Sequence, residues 1–353
     1  MAIIPRHLSA VVKKRYISAR SLYIYGARQT GKTTLARTAL PEIPYISLET
    51  PDTLLFAQND PRGFLAQYPR GAVIDEIQRA PDLLSYLQTI IDERNIRFVL
   101  TGSQNLLLMQ KVSQSLAGRI SILSLLPLSK SEIEHREHRD FHTWLAEANR
   151  DHGGNVPDIF TLILKGGFPP IIVDPDILSY WFADYIRTYI ERDVRQIVNI
   201  HDLAAFQKFL GLCAGRSGSL LNIASLSSDT GISETNCRNW LSVLQTSEII
   251  HLLQPYHANF NKRLIKSPKL YFNDTGLLCA LLGIKTKEQL RQHPLCGQIF
   301  ETYALIEIRK AYLNKGEIPR LYFWRDHRGL EVDCIVENDT DVFPIEIKMA
   351  QTF

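Results

Sequence analysis

Residues 26–33 read Gly-Ala-Arg-Gln-Thr-Gly-Lys-Thr, with two glycines bracketing four residues and a lysine and a hydroxyl following directly. That spacing suits a phosphate chain. Gly26, Ala27, Arg28, Gln29, Thr30 and Gly31 can turn successive backbone N–H groups toward one anion. Lys32 would reach the outer phosphates, Thr33 would offer its hydroxyl to Mg²⁺, and Thr34 falls in the first turn of a helix whose dipole favours negative charge. The bland alternative is a glycine turn ahead of a helix.

A second pair lies downstream. Asp75 and Glu76 are adjacent at the end of a short apolar run, AVIDE. Asp75 would hold Mg²⁺ through water, and Glu76 would polarise an attacking water. Ser103, in TGSQ, stands where a polar group can sense a terminal phosphate, with Thr101 behind it; a plain polar turn would look the same. Arg119, in LAGRI, either stabilises transition-state charge, in cis or across a subunit interface, or forms a structural ion pair.

These residues need a particular scaffold. An apolar strand over 22–25 must enter the glycine loop, and a helix must leave it at Lys32 and stop at Pro41. A strand over 72–74 carries the acidic pair at its carboxyl end, where ligands of open α/β sheets bind. Helical spacing over 81–94 and a strand over 96–100 complete an α/β pattern. No [NT]-K-x-D guanine-reading motif and no LSGGQ-like signature occurs, so the nucleotide expected is ATP and a transporter ATPase is disfavoured.

GARQTGKTTL, AVIDEIQ, FVLTGSQ and LAGRI…LLPLS, in that order, resemble a family of prokaryotic AAA-type ATPases with a C-terminal domain of unassigned function. ERDVRQIVNI, GISETNCRNWLSVLQTSEIIHLLQPY, KRLIKSPKLYFNDTGL and FWRDHRGLEVD extend the resemblance over nearly the whole chain. It implies ATP, an oligomeric habit and an unknown client.

Residues 129–149 are charged and helix-compatible, and the loop that follows marks the end of the first module. His135, His138 and His142 fall near one helical face there, but their charged neighbours favour a solvated surface. Arg187, Arg192 and Arg195, on a helical stretch over 180–200, either face nucleotide from a lid or make surface pairs. Residues 220–250 read as a helix ending at Gly231 and a second helix capped by Ser233, a helix-turn-helix. Strand-like runs follow, so a winged helix is expected. Thr235, Arg238, Asn239 and Ser242 would face a DNA groove, but only one is basic. Lys262, Arg263, Lys266 and Lys269, with Tyr256 and Phe260 nearby, would track phosphates of DNA or RNA from the wing. The competing reading is a winged helix used for packing or protein contacts.

At the end of the chain, a helix over 295–312 carries Glu301. Strands over 321–324, 330–336 and 342–348 carry Asp333, Glu346 and Lys348. Two carboxylates can bind Mg²⁺ and a lysine can orient water. This order resembles the restriction-endonuclease-like PD-(D/E)xK core. A nuclease core continues with another helix and strand, whereas this sequence stops at Phe353, so either the chain is cut short or the fold is incomplete, and the expectation is a C-terminal segment that is poorly shielded or completed by another chain. An edge meander with a solvent-facing Glu–Lys pair is the alternative.

The expected organisation is thus α/β: a P-loop NTPase parallel-sheet domain (1–150), a helical linker or lid (151–215), a winged helix-turn-helix (216–275), and an incomplete α+β restriction-endonuclease-like segment (276–353). The 353 residues are 45% hydrophobic and 22% charged with net charge +3, which excludes a polyelectrolyte and confines any nucleic-acid surface to a patch. Five irregularly spaced cysteines fit a reducing cytosol. No run approaches the ~20 apolar residues of a membrane span. The function expected is Mg-ATP hydrolysis, with C-terminal modules engaging nucleic acid; the alternative is a nucleotide-dependent protein-interaction switch.

Overall fold

Side chains of the strand Ser21–Tyr25 (β1) alternate between two cores. Leu22 and Ile24 join Leu35, Ala36, Val73 and Val99 on one face, and Tyr23 joins Ile74, Leu83 and Leu100 on the other. Burial on both faces explains why the strand is apolar along its length. The computed structural model describes residues 3–103, 115–141, 143, 145, 158–190, 202–256, 267–326, 328–339 and 341–349.

Four further strands run parallel with β1: Tyr45–Ser47 (β2), Val73–Asp75 (β3), Val99–Gly102 (β4) and Ile120–Ser124 (β5). Their order is β2-β3-β4-β1-β5, so β4 is inserted between the strand of the glycine loop and the strand of the acidic pair. Helices Leu8–Ser18 and Lys32–Ala39 cover one face, and Pro61–Ala66 and Leu83–Arg94 the other. The expected strand over 96–100 begins only at Val99. The preceding helix ends on Asn95 in left-handed backbone, and the next residues serve as its exit.

Beyond the first sheet, helices Ile159–Lys165, Pro169–Val173, Leu178–Tyr185, Leu203–Ala214, Ile223–Thr230 and Glu234–Thr246 share one apolar cluster built around Phe168, Phe182, Phe206, Phe209 and Trp240. The last two helices are joined across Gly231, and the Ser233 side chain caps the second by accepting the Asn236 N–H at 3.2 Å. Capping, not propensity, sets this start.

A second sheet contains Ser219–Leu220 (β6), Ile250–Pro255 (β7), Lys269–Phe272 (β8), Leu321–Arg325 (β9), Glu331–Glu337 (β10) and Val342–Ile345 (β11), in the order β11-β10-β9-β7-β8-β6. β7 pairs antiparallel with β8 and parallel with β9. The strand pair after the two short helices and the C-terminal meander are therefore one mixed sheet, and the line drawn at 275/276 runs through it. The helix Cys296–Leu313 packs Leu305, Ile306 and Leu313 on this sheet.

β11 ends at Ile345, so Glu346 and Lys348 lie just past the paired strand rather than on it. Pro344 within β11 suits an edge position, where one side of the strand needs no ladder donor. The two halves of the molecule are tied near the first sheet. Leu128 N–H donates to the Gly167 carbonyl at 2.7 Å, and Lys310 Nζ donates to the Leu128 carbonyl at 2.9 Å. Among the described residues, no helix is long and apolar enough to cross a membrane.

Candidate functional site

The glycine loop joins β1 to the helix Lys32–Ala39, as the spacing requires. Gly31 sits at φ 91°, left-handed backbone that a side chain would strain, and Gln29 at φ 65° makes the same kind of turn. The Thr30 hydroxyl closes the loop by donating to the Ala27 carbonyl at 2.9 Å. Lys32 is buried, and its Nζ donates to the Gly26 and Ala27 carbonyls at 3.1 and 2.8 Å. Its ammonium thus lies inside the turn that the loop makes.

Asp75 ends β3 beside this loop and is buried. Three hydroxyls address its carboxylate: Thr33 at 2.9 Å, Tyr45 at 2.7 Å and Thr101 in close contact. Thr33 and Asp75 offer hard oxygen donors side by side, the donor type that suits Mg²⁺. Glu76 adopts left-handed backbone at φ 59° and takes a hydrogen bond from the Gln78 amide. Burial pushes the Glu76 carboxyl above its ordinary range, against the lowering pull of Lys32 and Arg28. Ser103 follows β4, and its buried hydroxyl has no hydrogen-bond partner among the described residues.

A cleft runs over these groups. Arg28, Lys32, Thr33, Thr34, Asp75 and Glu76 line it. Ile3 and Ile4 from the N-terminal segment, with Pro169, Pro170, Val173 and Ile177 from the helices beyond the first sheet, add apolar groups to the same lining. The Tyr185 hydroxyl joins those helices to the loop by donating to the Arg28 carbonyl at 3.2 Å.

Arg6 braces the same loop from the N-terminal segment. Its guanidinium donates to the Thr30 carbonyl at 2.7 Å, to the Leu126 carbonyl at 2.8 Å and to Glu132 at 2.9 Å. Sequence reasoning passed over Arg6, Tyr45 and Gln78. Only Gln78 carried a signal, its place two residues after Glu76.

Arg119 is not brought to this cleft. It precedes β5 beside Ser21, at the amino end of the sheet, whereas the loop leaves the carboxyl end about 16 Å away along a five-residue strand. It forms an ion pair with Asp92 at 2.8 Å. Of the lid arginines, Arg187 is exposed and Arg192 and Arg195 lie outside the described residues.

Of the residues of the nuclease-like reading, Glu301 meets a buried lysine. Lys269 Nζ lies 3.1 Å from Glu301 and in close contact with Glu331, and its side chain is 3% exposed. This corrects the expectation that Lys269 tracks phosphates from a wing. β8 is an inner strand of the second sheet, which buries the side chain under the helix carrying Glu301. Lys262, Arg263, Lys266 and Phe260 lie outside the described residues.

Asp333 accepts the Ile347 N–H at 2.9 Å, while Glu346 and Lys348 pair at 2.8 Å on the exposed side. Burial raises the carboxyls of Glu301 and Asp333. Among the described residues, no three His, Cys, Asp or Glu side chains are grouped so as to hold a metal ion. His138 stands beside the His7 ring at 5.1 Å, and His142 lies outside the described residues.

Comparison with known proteins agrees with this geometry. A family described as an AAA domain matches residues 18–134, a domain of unknown function (DUF8612) matches 156–288, and a second one (DUF4143) matches 296–353. Two proteins named as uncharacterized, Rv2008c of Mycobacterium tuberculosis and Mb2031c of Mycobacterium bovis, are 31% identical over 359 residues, spanning 100% of this chain and 75% of each relative. Among solved structures, the Walker-type ATPase PABY2304 of Pyrococcus abyssi shares the fold, with a TM-score of 0.53 at 16% identity over 79% of this chain and 96% of that one. The chain belongs to the family of P-loop AAA-type ATPases that carry a C-terminal domain of unknown function.

Proposed function

We propose that this chain hydrolyses ATP with Mg²⁺ at the cleft between the glycine loop and the helix Pro169–Val173. The observation that carries the reading is convergence: Lys32 and Thr33 from one segment and Asp75 and Glu76 from another meet at the carboxyl end of the sheet, where Thr33 and Asp75 touch at 2.9 Å. The loop N–H groups and Lys32 would hold the phosphates, and Ile3, Ile4, Pro169 and Pro170 would cover the base. Mg²⁺, held by Thr33 and through water by Asp75, would offset phosphate charge when bound.

The chemistry follows from placement. Glu76 takes a proton from water as the water oxygen attacks the γ-phosphorus. The bond from that phosphorus to the bridging oxygen breaks, and ADP leaves with the electron pair. A carboxyl raised by burial is a stronger base than an ordinary one, which suits the step. Ser103, whose hydroxyl is unpaired among the described residues, would meet the terminal phosphate. A role for Arg119 requires a second copy of the chain, because its own cleft lies at the opposite end of the strands.

For the client, the interaction-switch reading has a specific observation in its favour. Lys269 is buried in ion pairs, and on the exposed side of the helix Glu234–Thr246 Arg238 is paired with Glu234 at 3.3 Å. Neither adds net positive charge to a phosphate-facing surface. The nucleic-acid reading now rests on Lys262, Arg263 and Lys266.

Steady-state ATPase of the full chain, with and without single- and double-stranded DNA, tests both. Turnover that Glu76→Gln lowers by about 100-fold while ATP still binds supports the hydrolytic reading. Normal turnover by Glu76→Gln overturns the base assignment. DNA stimulation, with affinity that falls steeply in salt, favours the nucleic-acid client; no binding at low salt favours the switch.

A further inference from the structure

Gln78 sits two residues beyond Glu76, in the 3₁₀ turn Ile77–Arg79 that follows β3. Three observations set it apart. Its amide nitrogen donates to the Glu76 carboxylate in close contact. Its amide oxygen is buried and has no hydrogen-bond partner among the described residues. That oxygen also lies against Gly102 so closely that a Cβ there would approach it to 2.1 Å. Gly102 is thus required by the side chain of Gln78, and the amide is clamped between the tips of β3 and β4.

The clamp has a chemical consequence. Glu76 stands on left-handed backbone, and its carboxylate must point at one place to take a proton from water. Gln78 fixes that direction from one side. The next residue after Gly102 is Ser103, the hydroxyl that would meet the terminal phosphate. One amide therefore ties the base to the strand that carries the phosphate sensor.

We propose that Gln78 is a positioning residue for ATP hydrolysis: its amide holds the Glu76 carboxylate in line with the attacking water and keys it to the tip of β4 at Gly102. This inference rests on the hydrolytic reading above. Gln78 is not among the residues that line the cleft, so its loss should act on turnover and not on ATP affinity. Gln78→Leu keeps the bulk and removes the hydrogen bond. Gln78→Glu keeps the shape but sets a carboxylate against a carboxylate.

The test is a double-mutant cycle on the full chain, with kcat from steady-state ATPase and ATP affinity from calorimetry. We expect Gln78→Leu to lower kcat about 10-fold or more, part of the general-base contribution, with ATP affinity kept. Gln78→Glu should be slower than Gln78→Leu, the reverse of what a role in shape alone would give. In the Glu76→Gln background, adding Gln78→Leu should cost nothing further, because the two act as one unit.

Three results would overturn the proposal: kcat of Gln78→Leu within about twofold of the unaltered chain, losses that multiply in the double variant, or a fall confined to ATP affinity. If Gln78→Leu does not fold, the order of Gln78→Glu against Glu76→Gln decides: a Gln78→Glu variant that turns over normally sinks the idea. An unaltered chain without ATP turnover fails the hydrolytic reading itself, a different outcome from any of these.

Discussion

Lys269 and Glu301 lie 3.1 Å apart in the interior of the second sheet, joined by Glu331 from β10 and by the hydroxyl of Tyr271. Burial works against the charge on Lys269, but the two carboxylates outweigh it and hold its pKa above the ordinary lysine value. The ammonium pairs with Glu301, one of the carboxylates that a nuclease-like reading would assign to a metal. Lys269→Met leaves Glu301 without its ammonium and Glu331 with Arg325 alone, and is expected to cost about 3 kcal/mol, read from urea unfolding. Lys269→Met combined with Glu301→Gln should recover part of that loss. A single variant as stable as the unaltered chain would show that the pair is not made.

The loop lysine gives a second prediction. Lys32 Nζ donates to the carbonyls of Gly26 and Ala27, so its ammonium is already inside the turn before any phosphate arrives. Lys32→Ala removes a charged donor and should weaken ATP binding by about 100-fold in calorimetry. Stability should change little by comparison, since the loop keeps the bonds from Thr30 and Arg6. Unaltered ATP affinity in Lys32→Ala would place the nucleotide elsewhere.

These cases separate what sequence conveys from what it conceals. The phosphate loop was legible because its chemistry is made by consecutive backbone groups, so order along the chain is order in space. Asp75 and Glu76 were legible for the same reason, being fixed by the end of one strand. For Arg119 the sequence left a catalytic role and a structural ion pair open, because a residue beside a strand can serve either end of the sheet, and only the parallel register of β1 with β5 decides which. Lys269 reads as basic surface until β7 pairs with β9 and the helix bearing Glu301 closes over it. That pairing joins residues about 70 apart in sequence, and no local pattern announces it. Gln78 is the intermediate case: its spacing to Glu76 is local, but the contact with Gly102 is not.

Trp181 should report nucleotide. Its ring stacks on Tyr185 with centroids 4.9 Å apart and planes 13° apart, and the Tyr185 hydroxyl donates to the Arg28 carbonyl in the loop. A phosphate entering the loop acts on that carbonyl's segment directly. ATP addition is expected to change tryptophan emission, and Trp181→Phe is expected to abolish the change with ATP affinity kept within about twofold. A signal that persists in Trp181→Phe would come from another of the four tryptophans and would separate the middle helices from the loop.

Arg6 and Glu132 predict an acid-dependent loss of stability. The Glu132 carboxylate accepts from Arg6 at 2.9 Å and from the N–H groups of Ser129 at 2.8 Å and His7 at 2.9 Å. Burial alone would raise its pKa, but Arg6 and these N–H groups prevail and leave it below the ordinary value. A carboxyl lowered on folding adds stability that is fully present above its unfolded pKa, about 4.3, and is lost as pH falls through the folded value. Glu132→Gln strands the Arg6 charge and should cost about 3 kcal/mol at pH 7, less than the full cost of a broken pair because two carbonyls still receive Arg6. The gap between the two chains should narrow as pH is taken below about 4, where protonation removes the advantage from the unaltered chain. Urea unfolding of both at neutral and acid pH measures it. A gap that stays constant with pH would mean that the Glu132 carboxylate is not what holds Arg6, and through Arg6 the carbonyl of Thr30, in place.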